Sequence, residues 1–166
     1  MDKPTEAELR KRRCCFTGHR PEKLGCREEE TAAALKTAIQ SSYAAGYRTF
    51  ISGMARGVDI WAAEIVLEER AIHPDIHLIC ALPHPGFETR WNRAWQERYK
   101  TILSKADLVK TICPVFSMGA YQKRNEWMVD HSALVLAVYN GQPGGTANTI
   151  DYARRNGVKV RIIELN

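Results

Sequence analysis

The sequence predicts a doubly wound α/β domain in which a mostly parallel six-stranded sheet carries helices on both faces. Three observations predict it. Short apolar runs alternate with segments of helical period, most of the runs end in turns rich in Gly or Pro, and 166 residues supply one sizeable core but not two. Strands separated by helices need crossover connections, and crossovers build a parallel sheet covered on both sides.

The elements follow in order. Met1 to Arg13 is charged throughout and forms a flank, residues 1–13, ahead of a single domain, residues 14–166. Cys14-Cys15-Phe16-Thr17 reads as the first strand and breaks at Gly18-His19-Arg20-Pro21. Leu35, Ala38, Ile39 and Ser42-Tyr43 recur with helical spacing between Arg27 and Ala45, and Gly46 closes that helix. Thr49 to Ser52 is the second strand, broken by Gly53. Gly57 to Ile72 is helical, with Val58, Trp61, Ala62 and Ile65 on one face, and Pro74 ends it. Ile76 to Leu82 is the third strand, stopped by Pro83-His84-Pro85-Gly86. Trp91, Trp95, Ile102 and Ala106 line one side of the next helix, where aromatic residues at helical spacing are read as core. Leu108 to Val115 is the fourth strand, Tyr121 to Val129 marks a helix, and Ala133 to Tyr139 is the fifth strand. After Asn140 to Asn148, a Gly-rich turn, Ala147, Ile150 and Ala153 form a helical face, and Lys159 to Leu165 supplies the sixth strand.

Composition narrows the class. The chain is 45% hydrophobic and 26% charged, ordinary for a globular protein, and no apolar run reaches membrane-spanning length. The charged N-terminus lacks the apolar centre of a signal peptide, so no membrane association is expected and a cytoplasmic location is. Cys14, Cys15, Cys26, Cys80 and Cys113 are odd in number and form no CxxC pair, which agrees with a reduced compartment. The five histidines show no ligand spacing, and neither a metal nor another cofactor is called for. The net charge is +5, of which the first thirteen residues carry +2 and the body +3. That mild bias favours small anionic ligands over a nucleic-acid groove, which shows a denser basic stripe.

The turns carry the candidate chemistry. A strand that ends in glycines and passes into a helix leaves backbone N–H groups converging at the positive end of the helix dipole, an anion site. Gly144 and Gly145 fit this description. Thr17, Gly18 and Arg20 offer a hydroxyl, a close-approach glycine and a bidentate cation after the first strand. Gly53, Arg56 and Gly57 place a cation between two glycines after the second strand, with Asp59 in the following helical turn. In a doubly wound sheet such turns meet at the carboxyl ends of the strands.

Ser52 to Asp59 resembles the SGxARGxD signature of the DprA/Smf DNA-processing proteins, and Lys123-Arg124-Asn125 resembles their RN element. Arg124 and Met128, followed by the apolar strand and Pro143-Gly144-Gly145-Thr146, are similar to the R-x-x-x-M and PGGxGT elements of the LOG phosphoribohydrolases. Together with Thr17 to Pro21, Trp91 and Met128-Val129-Asp130, the pattern most resembles the uncharacterised bacterial YpsA-like branch of the SLOG superfamily, from Cys14 onward. The resemblance implies a Rossmann-like nucleotide-binding domain whose phosphate pocket draws on Gly18, Arg20, Gly53, Arg56, Arg124, Gly144, Gly145 and Thr146. It also implies a homodimer.

LOG enzymes place a catalytic Glu three residues after the Thr of their glycine motif, and here that position is Thr149. A hydroxyl does not replace a carboxylate that stabilises an oxocarbenium-like centre or activates water. Asp59, Asp130 and Asp151 remain as catalytic candidates. The expected function is therefore binding or sensing of a nucleotide or nucleotide-derived metabolite, such as a nucleoside monophosphate or an ADP-ribose-like molecule. Hydrolysis of a nucleotide glycosidic bond is the alternative, and DprA-like single-stranded DNA binding ranks behind both.

Overall fold

Leu134–Val138 is buried at every position, as a strand must be when helices cover both faces of a parallel sheet. A computed structural model of the protein describes residues 2–25 and 27–165. Six strands form one sheet: β1 (Arg13–Gly18), β2 (Thr49–Ser52), β3 (His77–Leu82), β4 (Leu108–Thr111), β5 (Leu134–Val138) and β6 (Lys159–Ile163). Their order is β4-β3-β2-β1-β5-β6, and every neighbouring pair is parallel. The helices are α1 (Glu6–Arg10), α2 (Glu28–Ala44), α3 (Val58–Ile72), α4 (Arg93–Lys105), α5 (Ala120–Asp130) and α6 (Gly145–Arg155).

Successive strand residues point to opposite faces, and the core is split accordingly. Cys14, Phe16, Phe50, Leu78 and Leu136 pack under α2, α3 and α4. Cys15, Ile51, Ala81, Val135 and Ala137 pack under α5 and α6. The doubly wound architecture expected from the alternation is therefore present, and among the described residues no helix is long and apolar enough to cross a membrane. Cys14, Cys15, Cys80 and Cys113 are buried free thiols. Burial pushes the Cys15 and Cys80 thiols up to about 12, so they serve as small apolar side chains; Cys26 lies outside the described residues.

One expectation changes. The fourth strand ends at Thr111 rather than Val115, because its partner ends first: the Ile112 and Cys113 amides donate to the Leu82 and Pro83 carbonyls as β3 turns out of the sheet, and Pro114 has no N–H to continue. The described part of the flank carries a short helix and is tied to the domain. Thr5 and Glu8 form a capping box on α1, Arg13 pairs with Glu6 at 2.5 Å, and Arg10 donates to the Ser132 carbonyl at 3.0 Å.

The chain moves outward from β1 to β4 and then returns to place β5 on the other side of β1, with Gly18 opposite Val138. Strand order reverses there, and a crevice opens between the two exiting loops. Gly18 is required at the rim for packing. A Cβ added there would lie 2.5 Å from a methyl of Val58, the first residue of α3. Gly18→Ala is expected to lower stability by about 1–3 kcal/mol, the usual effect of overpacking. Val58→Ala should recover part of that loss, so urea unfolding of the single and double variants should give a favourable coupling of about 0.5 kcal/mol or more; strictly additive effects would mean that the steric reading is wrong.

Candidate functional site

The β2–α3 loop is the most constrained backbone at this edge. Met54 sits at φ 61, a left-handed conformation that side chains other than Gly rarely adopt, and its own side chain is fully buried. The Ser52 hydroxyl accepts from the Met54 N–H at 3.1 Å and donates to the Asp59 carbonyl at 2.8 Å. Gly57 is held at φ 93, with the Pro21 ring 2.9 Å from where a Cβ would be.

Two opposite charges are buried against this loop. Arg124, on α5, donates from Nη1 to the Gly53 and Ala81 carbonyls and from Nε to Asn125. Gly53 leaves the room: a Cβ there would stand 2.9 Å from both the guanidinium and Asp59 Oδ2. Asp59 accepts from the Ala55 N–H through Oδ2 at 3.3 Å, while its Oδ1 is buried without a hydrogen-bond partner among the described residues. Burial raises the Asp59 pKa to about 6, against the pull of Arg124 and the Ala55 amide. Burial likewise lowers the Arg124 pKa, although Asp59 opposes it.

Across the crevice, the β1 and β5 loops are joined by His19. The Asn140 N–H donates to His19 Nε2 at 3.3 Å, which makes Nε2 an acceptor and puts the proton of the neutral ring on Nδ1. Burial, with the Lys23 charge beside it, lowers the His19 pKa. The Gly-rich turn then enters α6 through Gly144 at φ 139, and no side chain caps this helix. The free N–H groups of its first turn face the crevice at the positive dipole end. Lys23 adds a full charge, since its ammonium is 3.3 Å from a Cβ position on Gly144.

These pieces enclose a pocket of about 410 Å³. Of the residues expected at the site, Thr17, Gly18, Arg20, Arg124, Gly145, Thr146 and Asp59 line it. The others stand behind or beside it. Gly53 and Gly57 serve packing, against Arg124 and Pro21 respectively, and Gly144 sits under Lys23. Arg56 pairs with Glu22 at 3.0 Å and lines a neighbouring cavity. Asp130 is exposed at the far end of α5 and accepts from the Tyr152 hydroxyl, and Asp151 is exposed on the outside of α6. Neither reaches the pocket, because α5 runs away from this edge and residue 151 falls on the solvent side of its helix.

His19, Lys23, Ala55, Tyr121 and Asn125 also line the pocket, and sequence reasoning did not select them. His19 had a detectable signal, its place directly after the glycine that ends β1. Lys23 had none, because it reaches the α6 terminus from a 3-10 turn, Pro21–Leu24, distant in sequence.

The neighbouring cavity, about 610 Å³, shares Arg20, Ala55 and Tyr121 with the pocket. Trp91 lines it and packs edge-on against Phe87 at 5.2 Å, so it is a wall residue. Trp95 instead meets Trp61 at a tilt, ring centroids 6.2 Å apart, half-buried against the core.

The raised Asp59 pKa has a consequence for stability. The folded state holds this proton more tightly than the unfolded chain, where an aspartate titrates near 3.8. The stabilisation from the protonated carboxyl is complete below that value and is lost as pH rises through about 6. Asp59→Asn should therefore gain stability relative to the wild type between pH 4 and 6, by at most ~1.4 kcal/mol per pH unit. Denaturant melts of both proteins across that range check this, and parallel pH profiles would count against it.

Residues 14–165 match the family model YpsA, described as the YspA SLOG family. The chain is 33% identical over 121 residues to the uncharacterised SPbeta prophage-derived protein YoqJ of Bacillus subtilis, a match covering 64% of this chain and 69% of YoqJ. It is 34% identical over 88 residues to a UPF0398 protein of Staphylococcus epidermidis, covering 52% of this chain but only 47% of that relative. A UPF0398 protein of Bacillus thuringiensis is 29% identical over 150 residues, covering 85% and 82%. Among solved structures, DNA processing protein A from Helicobacter pylori, studied for its single-stranded DNA binding mode, superimposes with a TM-score of 0.63 at 16% identity, covering 93% of this chain and 66% of that one. That likeness is one of fold, whereas the family match spans the sheet and the pocket described above. The chain belongs to the YspA SLOG family.

Proposed function

We propose that the pocket binds a nucleotide or nucleotide-derived metabolite through its phosphate and a ribose hydroxyl. The observation that carries this reading is the pairing, in one pocket, of an anion-binding wall with a buried carboxylate oxygen that has no protein partner. Arg20, Lys23 and the uncapped α6 terminus answer to a phosphate. Asp59 Oδ1 answers to a hydroxyl donor, and pairing would relieve the cost of leaving it unsatisfied.

Hydrolysis is a second reading, favoured by Asp59. It is the acid that lines the pocket, and a carboxyl pKa raised toward neutrality suits proton transfer. The LOG-type position does not help, since the Thr149 hydroxyl donates to the Gly145 carbonyl at 2.9 Å within α6. DNA binding by the structural neighbour supports a third reading, a single-stranded DNA site along the same edge, with the steep salt dependence of phosphate neutralisation.

Calorimetric titrations at physiological salt with AMP, ADP-ribose, NAD and a short single-stranded oligonucleotide separate these readings. A nucleotide site predicts saturable binding of at least one small ligand, weakened about tenfold by Lys23→Ala or Arg20→Ala, as expected for one charge-assisted contact of ~1.4 kcal/mol. Both side chains are exposed, so the variants should fold. Arg124→Ala is a poor probe because it strands the buried Asp59 charge. Loss of turnover with retained binding in Asp59→Asn would establish hydrolysis, and binding of the oligonucleotide alone would remove the small-ligand reading.

A further inference from the structure

The cavity beside the phosphate pocket is lined by a residue with a buried polar atom that no group among the described residues satisfies. His84 is more than nine-tenths buried and lines this cavity. Its Nδ1 is 2.8 Å from the Pro85 carbonyl, and a carbonyl only accepts, so Nδ1 carries the proton. Nε2 of the neutral ring is then an acceptor, and it is buried without a hydrogen-bond partner. Such an atom calls for a donor.

Rings surround it. Phe116 meets His84 edge-on at 5.2 Å and Tyr121 does so at 5.8 Å. Phe116 is 63% exposed and Tyr121 37% exposed, so both keep ring surface open to solvent, although the Arg124 guanidinium lies over the Tyr121 ring at 5.8 Å. Arg56, Arg90, Thr89 and Asn92 line the polar remainder of the cavity, and the aromatic side, with a buried acceptor among its rings, suits a planar ring that bears a donor. Because Arg20, Ala55 and Tyr121 border both cavities, a ligand whose phosphate lies at Arg20 and Lys23 can extend into the aromatic one.

Resting on the nucleotide reading above, we infer that the cleft between Phe116, Tyr121 and His84 is a base subsite selective for nucleotides with an amino-bearing base. The base stacks on Phe116 and Tyr121, and its exocyclic N–H donates to His84 Nε2. A base that lacks the amino group leaves Nε2 unpaired, and this unsatisfied acceptor is the source of the discrimination.

The test compares AMP, purine riboside 5′-monophosphate, which lacks only the amino group, and ribose 5-phosphate by calorimetry. The wild type should bind AMP at least about tenfold more tightly than purine riboside 5′-monophosphate, with ribose 5-phosphate weaker still. Phe116→Ala should weaken AMP by about tenfold and leave ribose 5-phosphate unchanged. His84→Phe, which keeps a ring but removes the nitrogens, should erase the difference between AMP and its deamino analogue. Equal affinity for those two ligands in the wild type overturns the subsite without recourse to any variant, as does AMP binding indifferent to Phe116→Ala. Ribose 5-phosphate binding as tightly as AMP removes the base subsite and leaves the phosphate pocket standing, and failure of all three to bind overturns the subsite as well, the phosphate pocket then resting on the ADP-ribose and NAD titrations.

Discussion

The burial of Arg124 and Asp59 on either side of Gly53 is the constraint on which the site depends. Each charge loses more by leaving water than it regains from the other, which is why burial leads the causes of both pKa shifts. The arrangement persists because the surrounding backbone absorbs it: Gly53 and Ala81 give carbonyls to the guanidinium, and Ala55 gives an amide to the carboxylate. These same partners fix the path of the β2–α3 loop, including the left-handed Met54. Arg124 thus ties α5, on one face of the sheet, to a loop that enters α3 on the other. The shape of the pocket follows from that tie more than from any contact at its rim.

Stability and function pull on this edge in opposite directions. An unpartnered carboxylate oxygen, an uncapped helix terminus and a cation held near the positive end of a dipole are each unfavourable in the empty protein. Together they present complementary features to a phosphorylated, hydroxylated ligand. The rest of the sheet offsets their cost with two continuous cores, in which β5 is buried along its whole length.

The fold was legible because its signal is local. Parallel strands buried on both faces read as short apolar runs, as at Leu134–Val138, and prolines and glycines mark where each run leaves the sheet. Strand order was not legible, since nothing within β1 says that β5 is its neighbour. Glycine roles were only half legible. A glycine that admits a ligand and one that admits another side chain look the same in sequence, and Gly53 and Gly57 proved to be of the second kind. Arg124 carried a recognisable motif, but its burial under the loop could not be read from neighbouring letters. His84, between two prolines, read as a turn; only the fold shows that it stands in a ring of aromatics with one nitrogen unsatisfied.

The register of β1 against β5, Cys14 opposite Leu134, bears on when the protein can fold during synthesis. The central strand is made early, yet one of its two ladders waits for residues that emerge after most of the chain. Until then β1 to β4 form at best a half-sheet whose inner edge has open N–H and C=O groups, a template for unwanted strand pairing. Both walls of the crevice, the β1 loop and the α6 terminus, come together only when the β1–β5 ladder closes. The proposed pocket is therefore a property of the assembled sheet and is absent from any nascent intermediate.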